Sequence, residues 1–409
     1  MFSLNFKSSK NIFFLDIFLY FIPFSILLGT FVLNIFTIIS SVIFLFLFIS
    51  KKISVNIKYL NLSISILVIF LILNNVFSID IKTSIPPSLN LMKSFLTFLA
   101  LYYCIINLKN FKKNFFIILF FTFIFVVCDT YFQHFFEKDI FGYEVGYSNG
   151  RRLSGPFGDE FVVGAYLSKL FFLTSLLLII FYKSKYFYIL MFLTFGLVIF
   201  SNERSASIML FCGIFIYFLF CNINIRNKLF AFIAMFVFLL SIFSYNENLK
   251  NHFITIPVKY FKDNHHKAHF LAAIEIFKNN IIFGSGIRTF RIECRKEKYS
   301  NIKTIYANKR CTTHPHNIYL EILSESGVFG FMMIFTLNLY ILINLIKNFF
   351  RKKSKYLKQI ILIVFCNFFI LFSPLQTTGA FFSSFSSIFY VYFYAIFFSF
   401  NNELINHTD

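Results

Sequence analysis

Apolar stretches of about twenty residues recur along this chain, and they limit its possible folds more than any other feature. An α-helix of roughly 20 apolar residues is long enough to cross the hydrocarbon core of a bilayer. The chain is 58% hydrophobic, whereas soluble domains are nearer 45–50% apolar. We therefore predict an all-α polytopic membrane protein with about twelve transmembrane helices and one large periplasmic loop. The predicted helices cover residues 11–28, 31–50, 58–77, 89–107, 114–134, 161–182, 186–202, 204–221, 228–245, 317–346, 358–377 and 380–400.

The basic residues in the short loops predict the orientation of these helices. One alternating set of loops carries 18 Lys and Arg residues, and the opposite set carries only Lys82, Lys138, Arg151, Arg152 and Arg204. Because Lys and Arg mark the cytoplasmic side, we expect both termini to be cytoplasmic. The chain then has three parts: transmembrane spans 1–9 at residues 1–245, a periplasmic loop with short helices at 246–316, and spans 10–12 with a cytoplasmic tail at 317–409. The net charge of +20 could suggest a nucleic-acid partner, but the placement of the charges argues against one.

The segment 246–316 concentrates ionisable groups. It contains 13 of the 38 Lys and Arg residues and only five acidic residues. Six of the eight histidines are also there: His252, His265, His266, His269, His314 and His316. Such a concentration outside the lipid predicts that this segment performs chemistry or binds an anion. Its two cysteines, Cys294 and Cys311, are an even pair in an oxidising compartment, which favours a disulfide; two free thiols are the alternative.

Several arginines are candidates for binding an anion at the outer surface. Arg204 lies between two apolar runs, where an arginine normally contacts a cavity or a partner. It could bind phosphate through its guanidinium, or it could pair with Glu203. Arg151 and Arg152 lie among glycines, which is compatible either with an anion site or with an ordinary polar turn. Arg288 follows a Gly-x-Gly turn that would end the preceding helix.

The histidines allow two interpretations. The pattern His265-His266-x-x-His269 has a spacing that could hold a metal, but we favour a solvated or interfacial helix face with no metal. His316 precedes span 10, and a histidine at such a position can act as a general base near neutral pH. Glu321, about one helical turn later, could orient it. The alternative is a helix-capping cluster without chemistry.

These residues together resemble the O-antigen ligase and O-antigen polymerase superfamily. His316 and Gly327 have the family's spacing of ten intervening residues, and Arg204 followed by Ile208 is similar to its arginine motif, with Ile in place of Leu. Gly284-x-Gly286 with Arg288 resembles the arginine region of the family's outer loop. The segment 152–157 with Glu160 resembles its upstream motif.

The resemblance implies a metal-independent membrane glycosyltransferase without a cofactor. Such an enzyme moves a glycan from undecaprenyl diphosphate to lipid A-core, or to another lipid-linked repeat, at the periplasmic face of the bacterial inner membrane. It also implies catalytic roles for His316 as the base and for Arg204 and Arg288 as ligands of the diphosphate. We further expect substrate binding by Arg151, Arg152, His314 and Glu321.

Two other classes of function remain open from the sequence. A polytopic transporter would have repeats and charged residues at mid-membrane depth, whereas here the ionisable residues in the middle of spans are few, namely Asp16, Lys93, Asp129 and Lys169, and no repeat is evident. A non-catalytic scaffold that binds a lipid-linked glycan would tolerate replacement of His316 by Ala.

Overall fold

The computed structural model describes residues 10–55, 57, 60–147, 151–182, 185–259 and 263–406. These residues form helices and loops, and no β-strand is present among them. Among the described residues, twelve long helices run in the order predicted from the apolar stretches, and a helix of 15 residues lies in the segment between the ninth and tenth of them. The same segment also contains helices of three to five residues, which carry no label. The helices are α1 (Lys10–Ser25), α2 (Thr30–Ile49), α3 (Leu60–Val76), α4 (Ile81–Asn107), α5 (Phe111–Phe136), α6 (Val163–Phe181), α7 (Lys185–Phe200), α8 (Arg204–Phe220), α9 (Ile225–Tyr245), α10 (His265–Asn279), α11 (Ile318–Arg351), α12 (Lys355–Phe372) and α13 (Ser384–Asn406).

The lengths and compositions of these helices fit a membrane protein. Within the described residues, seven helices are long and apolar enough to cross a membrane: α2, α4, α5, α6, α9, α11 and α12. Four shorter apolar helices accompany them, including α3, α7 and α8. The predicted class, an all-α polytopic membrane protein, is therefore confirmed.

Burial differs greatly among the long helices. In the apolar 18-residue stretch of α6, 89% is buried inside the molecule, whereas in the corresponding stretch of α9 only 6% is buried. Helix α6 packs against α5, α7, α8 and α12, so it is central. Helix α9 presents nearly all of its surface outward, as a helix in contact with lipid would.

Several predicted helix ends differ from the structure; for example, α12 ends at Phe372 rather than at 377, and α13 begins at Ser384 rather than at 380. Helix α4 begins at Ile81, eight residues before the predicted start, because Asp80 caps it by accepting a hydrogen bond from the Lys82 N–H (3.1 Å). The helix then accommodates Pro86 and Pro87. Helix α11 begins after Asn317, whose side chain accepts from the backbone N–H groups of the next turn. It continues to Arg351, but Gly327, with φ 64° and ψ −168°, divides it into two parts.

The segment between α9 and α11 has a small hydrophobic core of its own. Its members are Ala272, Ala273, Ile276, Phe290, Cys294 and Tyr299. A disulfide joins Cys294 to Cys311, with Cα atoms 5.4 Å apart. Beside it, the buried Glu293 accepts from Lys296, from Lys298 and from the Tyr299 hydroxyl. Helix α10 packs against α11, so this core is fixed directly to the membrane helices.

Candidate functional site

Four histidine rings from two parts of the chain form a cluster, here called the histidine cluster: His266, His269, His314 and His316. The His316 ring centroid lies 4.2 Å from that of His314, 5.3 Å from that of His266 and 5.4 Å from that of His269. Asn264 caps α10 through the Lys267 N–H, and residues three apart on a helix share one face. His266 and His269 therefore point to the same side. The interpretation of these two residues as a solvated face is wrong, since His269 is only 8% exposed and both rings contact His316.

The segment between α12 and α13 forms hydrogen bonds with His314 and His316, the two histidines that precede α11. The Thr378 N–H donates to the His316 carbonyl oxygen (2.9 Å), and the Thr378 carbonyl oxygen lies 3.0 Å from His314 Nε2. The Asn317 amide also donates to the Pro374 carbonyl oxygen (2.9 Å). Thr378 is therefore a positioning residue that the sequence did not reveal, because it is about 60 residues away along the chain.

Burial keeps these imidazoles neutral near pH 7. It lowers the pKa of His266, His269 and His314 from 6.5 to about 4, with a smaller contribution from the neighbouring His316. Burial also lowers the pKa of His316, although a hydrogen bond with the Thr378 backbone opposes that change. A neutral imidazole has a basic ring nitrogen, so His316 has the protonation state that a general base requires.

Arg204 is the first residue of α8 and lies on the His266 side of the cluster. Its positive charge lowers the pKa of both His252 and His266, after the larger effect of burial. The carboxylate of Glu203 accepts instead from the Gly164 N–H (2.6 Å) and the Ala165 N–H (3.1 Å) at the start of α6. Among the described residues Arg204 forms no ion pair with a carboxylate, so the alternative pairing with Glu203 is wrong.

Arg288 lies on the His314 side of the cluster, in a loop bound tightly to α11. Its N–H donates to Glu325 Oε2 (2.6 Å), and the Phe290 N–H donates to Glu325 Oε1 (3.1 Å). The Arg288 charge contributes to the lowered pKa of His314. The fully buried Glu325 therefore fixes the backbone that carries the guanidinium.

Asn74 of α3 holds the same loop from its other side. Its side-chain amide donates to the carbonyl oxygens of Phe283 (2.7 Å) and Glu325 (2.9 Å), and its oxygen accepts from the Ile287 N–H (3.1 Å). Asn74 is completely buried. An apolar span predicted from hydropathy thus contributes a structural amide to the site.

Two glycines allow this loop to lie against α11. A Cβ atom on Gly284 would lie 2.3 Å from the Ser326 nitrogen, and one on Gly327 would lie 2.3 Å from the Ile282 oxygen. Helix α10 already ends at Asn279, so the prediction that the Gly-x-Gly turn ends this helix is wrong. The glycines instead permit close approach of two backbone segments.

The remaining predicted site residues have other contacts. Arg151 pairs with Glu137 (2.9 Å) and also bonds to His134, whereas the Arg152 guanidinium lies over the Phe161 ring at 4.8 Å. Burial and the charge of Arg204 lower the pKa of His252, and the charge of Arg152 lowers it further. Arg152 is therefore a second cation near His252. The carboxylate of Glu321 accepts from the Phe381 N–H (2.9 Å) rather than from His316. The structure therefore gives no support to the idea that Glu321 orients the base.

An apolar cavity of about 520 Å³ opens between α3, α4, α11 and α13. One end lies beside Phe381, whose N–H binds Glu321, and the lining continues along α13 to Phe398. Its few polar lining groups include Asn90, Ser94 and Ser387. The lining is predominantly apolar, as a site for a hydrocarbon chain would be.

The described residues contain no group of three or more His, Cys, Asp or Glu side chains arranged to hold a metal ion. The histidine cluster is thus a set of packed rings in this structure.

Comparison with known proteins identifies the part of the chain that carries this site. Residues 189–335 match the family model described as O-antigen ligase. This stretch runs from α7 to the second part of α11 and includes the histidine cluster, Arg204 and Arg288. No curated protein matches the chain. The similarity of residues 189–335 to this family supports the O-antigen ligase/polymerase superfamily.

Proposed function

We propose that the chain is a membrane glycosyltransferase that moves a glycan from undecaprenyl diphosphate to lipid A-core at the periplasmic face of the inner membrane. The observation that carries this proposal is the arrangement of His316. It is a buried, neutral imidazole between His266, which feels the charge of Arg204, and His314, which feels the charge of Arg288. The O-antigen ligase match supports lipid-linked glycans as the class of substrate.

In the proposed reaction, His316 removes the proton from an acceptor hydroxyl. The hydroxyl oxygen forms a bond to the anomeric carbon of the donor glycan, and the bond from that carbon to the phosphate oxygen breaks. Negative charge then develops on the leaving undecaprenyl diphosphate. Arg204 and Arg288 stabilise this charge, because preorganised cations at a developing anion lower the barrier and guanidinium binds phosphate oxygens in pairs.

The apolar cavity supports a lipid carrier as part of the substrate. We propose that it holds the hydrocarbon chain of a lipid-linked substrate. An apolar chain gains free energy by occupying such a space, at roughly 25 cal/mol per Å² of surface removed from water.

The principal alternative is a polymerase that joins lipid-linked repeats, because a polymerase needs the same base and the same cations. The glycans of a deletion strain distinguish the two. A ligase predicts lipid A-core without polymer and accumulation of lipid-linked polymer, whereas a polymerase predicts lipid A-core capped by a single repeat.

The role of His316 is tested by transfer assays with purified protein. His316→Ala should lower the transfer rate by about 10²–10⁴-fold, the usual effect of losing a general base, while donor binding persists. His316→Asn should have the same effect with less disturbance of the fold, because Asn tolerates the positive φ of this position better than Ala does. His265→Ala is the matched control, since His265 is exposed on the same helix as His266.

Wild-type transfer by both His316 variants would contradict the proposed mechanism and favour a non-catalytic scaffold. Addition of EDTA should leave the rate unchanged, because the mechanism uses no metal.

A further inference from the structure

Arg291 is a second arginine in the loop that carries Arg288, and two of its hydrogen-bond donors have no partner. It lies in the short helix Phe290–Glu293. Its Nε and Nη2 atoms are buried and make no hydrogen bond within the described part of the chain. Buried guanidinium donors are normally satisfied by acceptors, so this side chain is incomplete without one.

The nearby carboxylates do not supply these acceptors. Glu325 uses both oxygens for the N–H groups of Arg288 and Phe290. Glu321 accepts from the Phe381 N–H through Oε2, and its buried Oε1 forms no hydrogen bond with a described residue, Arg291 included. None of the ion pairs formed by the described residues includes Arg291. The two carboxylates are still close enough to raise the pKa of Arg291, against the larger lowering effects of burial and of the Arg288 charge. Neither group satisfies the free donors of Arg291.

Arg291 also lies towards the histidine cluster. Besides burial, the charges of Arg288 and Arg291 both lower the pKa of His314, whereas the charge of Arg204 lowers the pKa of His266 and His252. The two loop arginines therefore both lie near His314, and Arg204 lies near His266 and His252.

We propose that Arg291 and Arg288 together form a subsite for a phosphate ester of a lipid-linked substrate. This inference rests on the proposed function and adds a binding residue to it. Two adjacent guanidinium groups can donate to several oxygens of one phosphate, and the phosphate supplies the acceptors that Arg291 lacks. The phosphate belongs either to the donor diphosphate or to an anionic acceptor, and the two sources share this chemistry.

The first test measures binding of inorganic diphosphate to the purified full-length protein in lipid nanodiscs by calorimetry. Arg291→Gln should weaken binding by about 10-fold or more, because a hydrogen bond to a charged group contributes roughly 1.5–3 kcal/mol. Arg291→Lys should restore it only in part, since Lys lacks the planar fork. Arg295→Gln is the control, because Arg295 carries the same charge on the exposed surface of the same segment. Wild-type affinity in Arg291→Gln overturns the proposal.

The second test measures KM for the donor and for the acceptor separately in transfer assays. An increase for the donor assigns the phosphate to the donor diphosphate, and an increase for the acceptor assigns it to the acceptor. Unchanged values for both overturn the proposal. The calorimetric test needs no glycan transfer. If the protein binds diphosphate but catalyses no transfer, the proposed function fails, and the binding data alone decide whether Arg291 belongs to a phosphate subsite.

Discussion

His316 has a backbone conformation that is uncommon for a residue other than glycine. Its φ is 60°, and two other site residues, Asn202 next to the Glu203–Arg204 pair and Arg288, have φ of 62° and 61°. Such conformations cost free energy, and they persist where the surroundings enforce them, often at functional sites. At His316 the enforcing contact is the Thr378 N–H.

The acid limb of the pH profile should report the environment of His316. A general base must be neutral, and burial lowers the pKa of His316 below its ordinary value of 6.5. We therefore expect kcat/KM to fall only as pH decreases below 6.5, and to be insensitive to the state of His316 at higher pH. The measurement is the transfer rate at limiting substrate between pH 4.5 and pH 8, with His316→Asn as the control that should lack this limb. An inflection above pH 6.5 would contradict the proposed environment.

The sequence motifs predicted part of this site and missed the rest for a physical reason. His316, Arg204 and Arg288 were selected because their residue types and spacing match a known pattern. Thr378 and Asn74 act through backbone hydrogen bonds to residues far along the chain, and Arg291 is distinguished only by its lack of partners. Contacts of this kind exist only after folding, so no local pattern indicates them.

At the scale of elements, the loop 283–290 is the part that determines where Arg288 lies. It is held between α3 and α11 by Asn74 and Glu325. Asn74→Ala would leave the Ile287 N–H and the Phe283 carbonyl oxygen without their partner, at a cost of roughly 1–3 kcal/mol per unsatisfied group, whereas the Glu325 oxygen keeps the Gly286 N–H. We expect the loop to loosen and kcat/KM to decrease at least several-fold.

Hydrogen–deuterium exchange at residues 283–290 measures this effect directly and should increase in Asn74→Ala. Asn75→Ala is the control, because the Asn75 amide donates to Leu71 and Ser88 rather than to the loop. Unchanged exchange in Asn74→Ala would show that Glu325 and the glycine contacts hold the loop without Asn74.

The disulfide between Cys294 and Cys311 stabilises the small outer core. Its sequence separation is 17 residues, and a loop of about this length should contribute roughly 3 kcal/mol in the chain-entropy model. Mass spectrometry of non-reduced protein should detect the cross-linked peptides, and Cys294→Ala with Cys311→Ala should lower the melting temperature. Recovery of both cysteines as alkylatable thiols would contradict the pairing.

Hydropathy predicted the long helices well because the length of an apolar run is a local property. It failed where polar capping groups decide the boundary, as at Asp80, which starts α4 early. It also could not predict that the glycines after α10 would contact α11. Their effect depends on Gly327, more than forty residues later.

At the scale of the whole molecule, the charge distribution predicts which side of the membrane carries the histidine cluster. The 18 basic residues of one set of short loops should be cytoplasmic. A cysteine introduced at Phe270, in a variant whose five free cysteines are replaced, should react with an impermeant thiol reagent added from outside. A cysteine introduced at Ser354 should react only after the membrane is permeabilised. The reverse pattern would place the cluster in the cytoplasm and contradict the proposed reaction.

The hydrogen bonds between Asn74 and the loop 283–290 predict what happens when the chain is cut into two fragments. A fragment that begins at residue 185 would contain the histidine cluster, Arg204, Arg288 and Arg291. It would lack Asn74, and Glu203 would have no α6 N–H groups to bind. Such a fragment should therefore be inactive alone, and co-expression of the missing N-terminal half should restore transfer only when that half carries Asn74. Fragment complementation would thus reveal that residues outside the family match complete the enzyme.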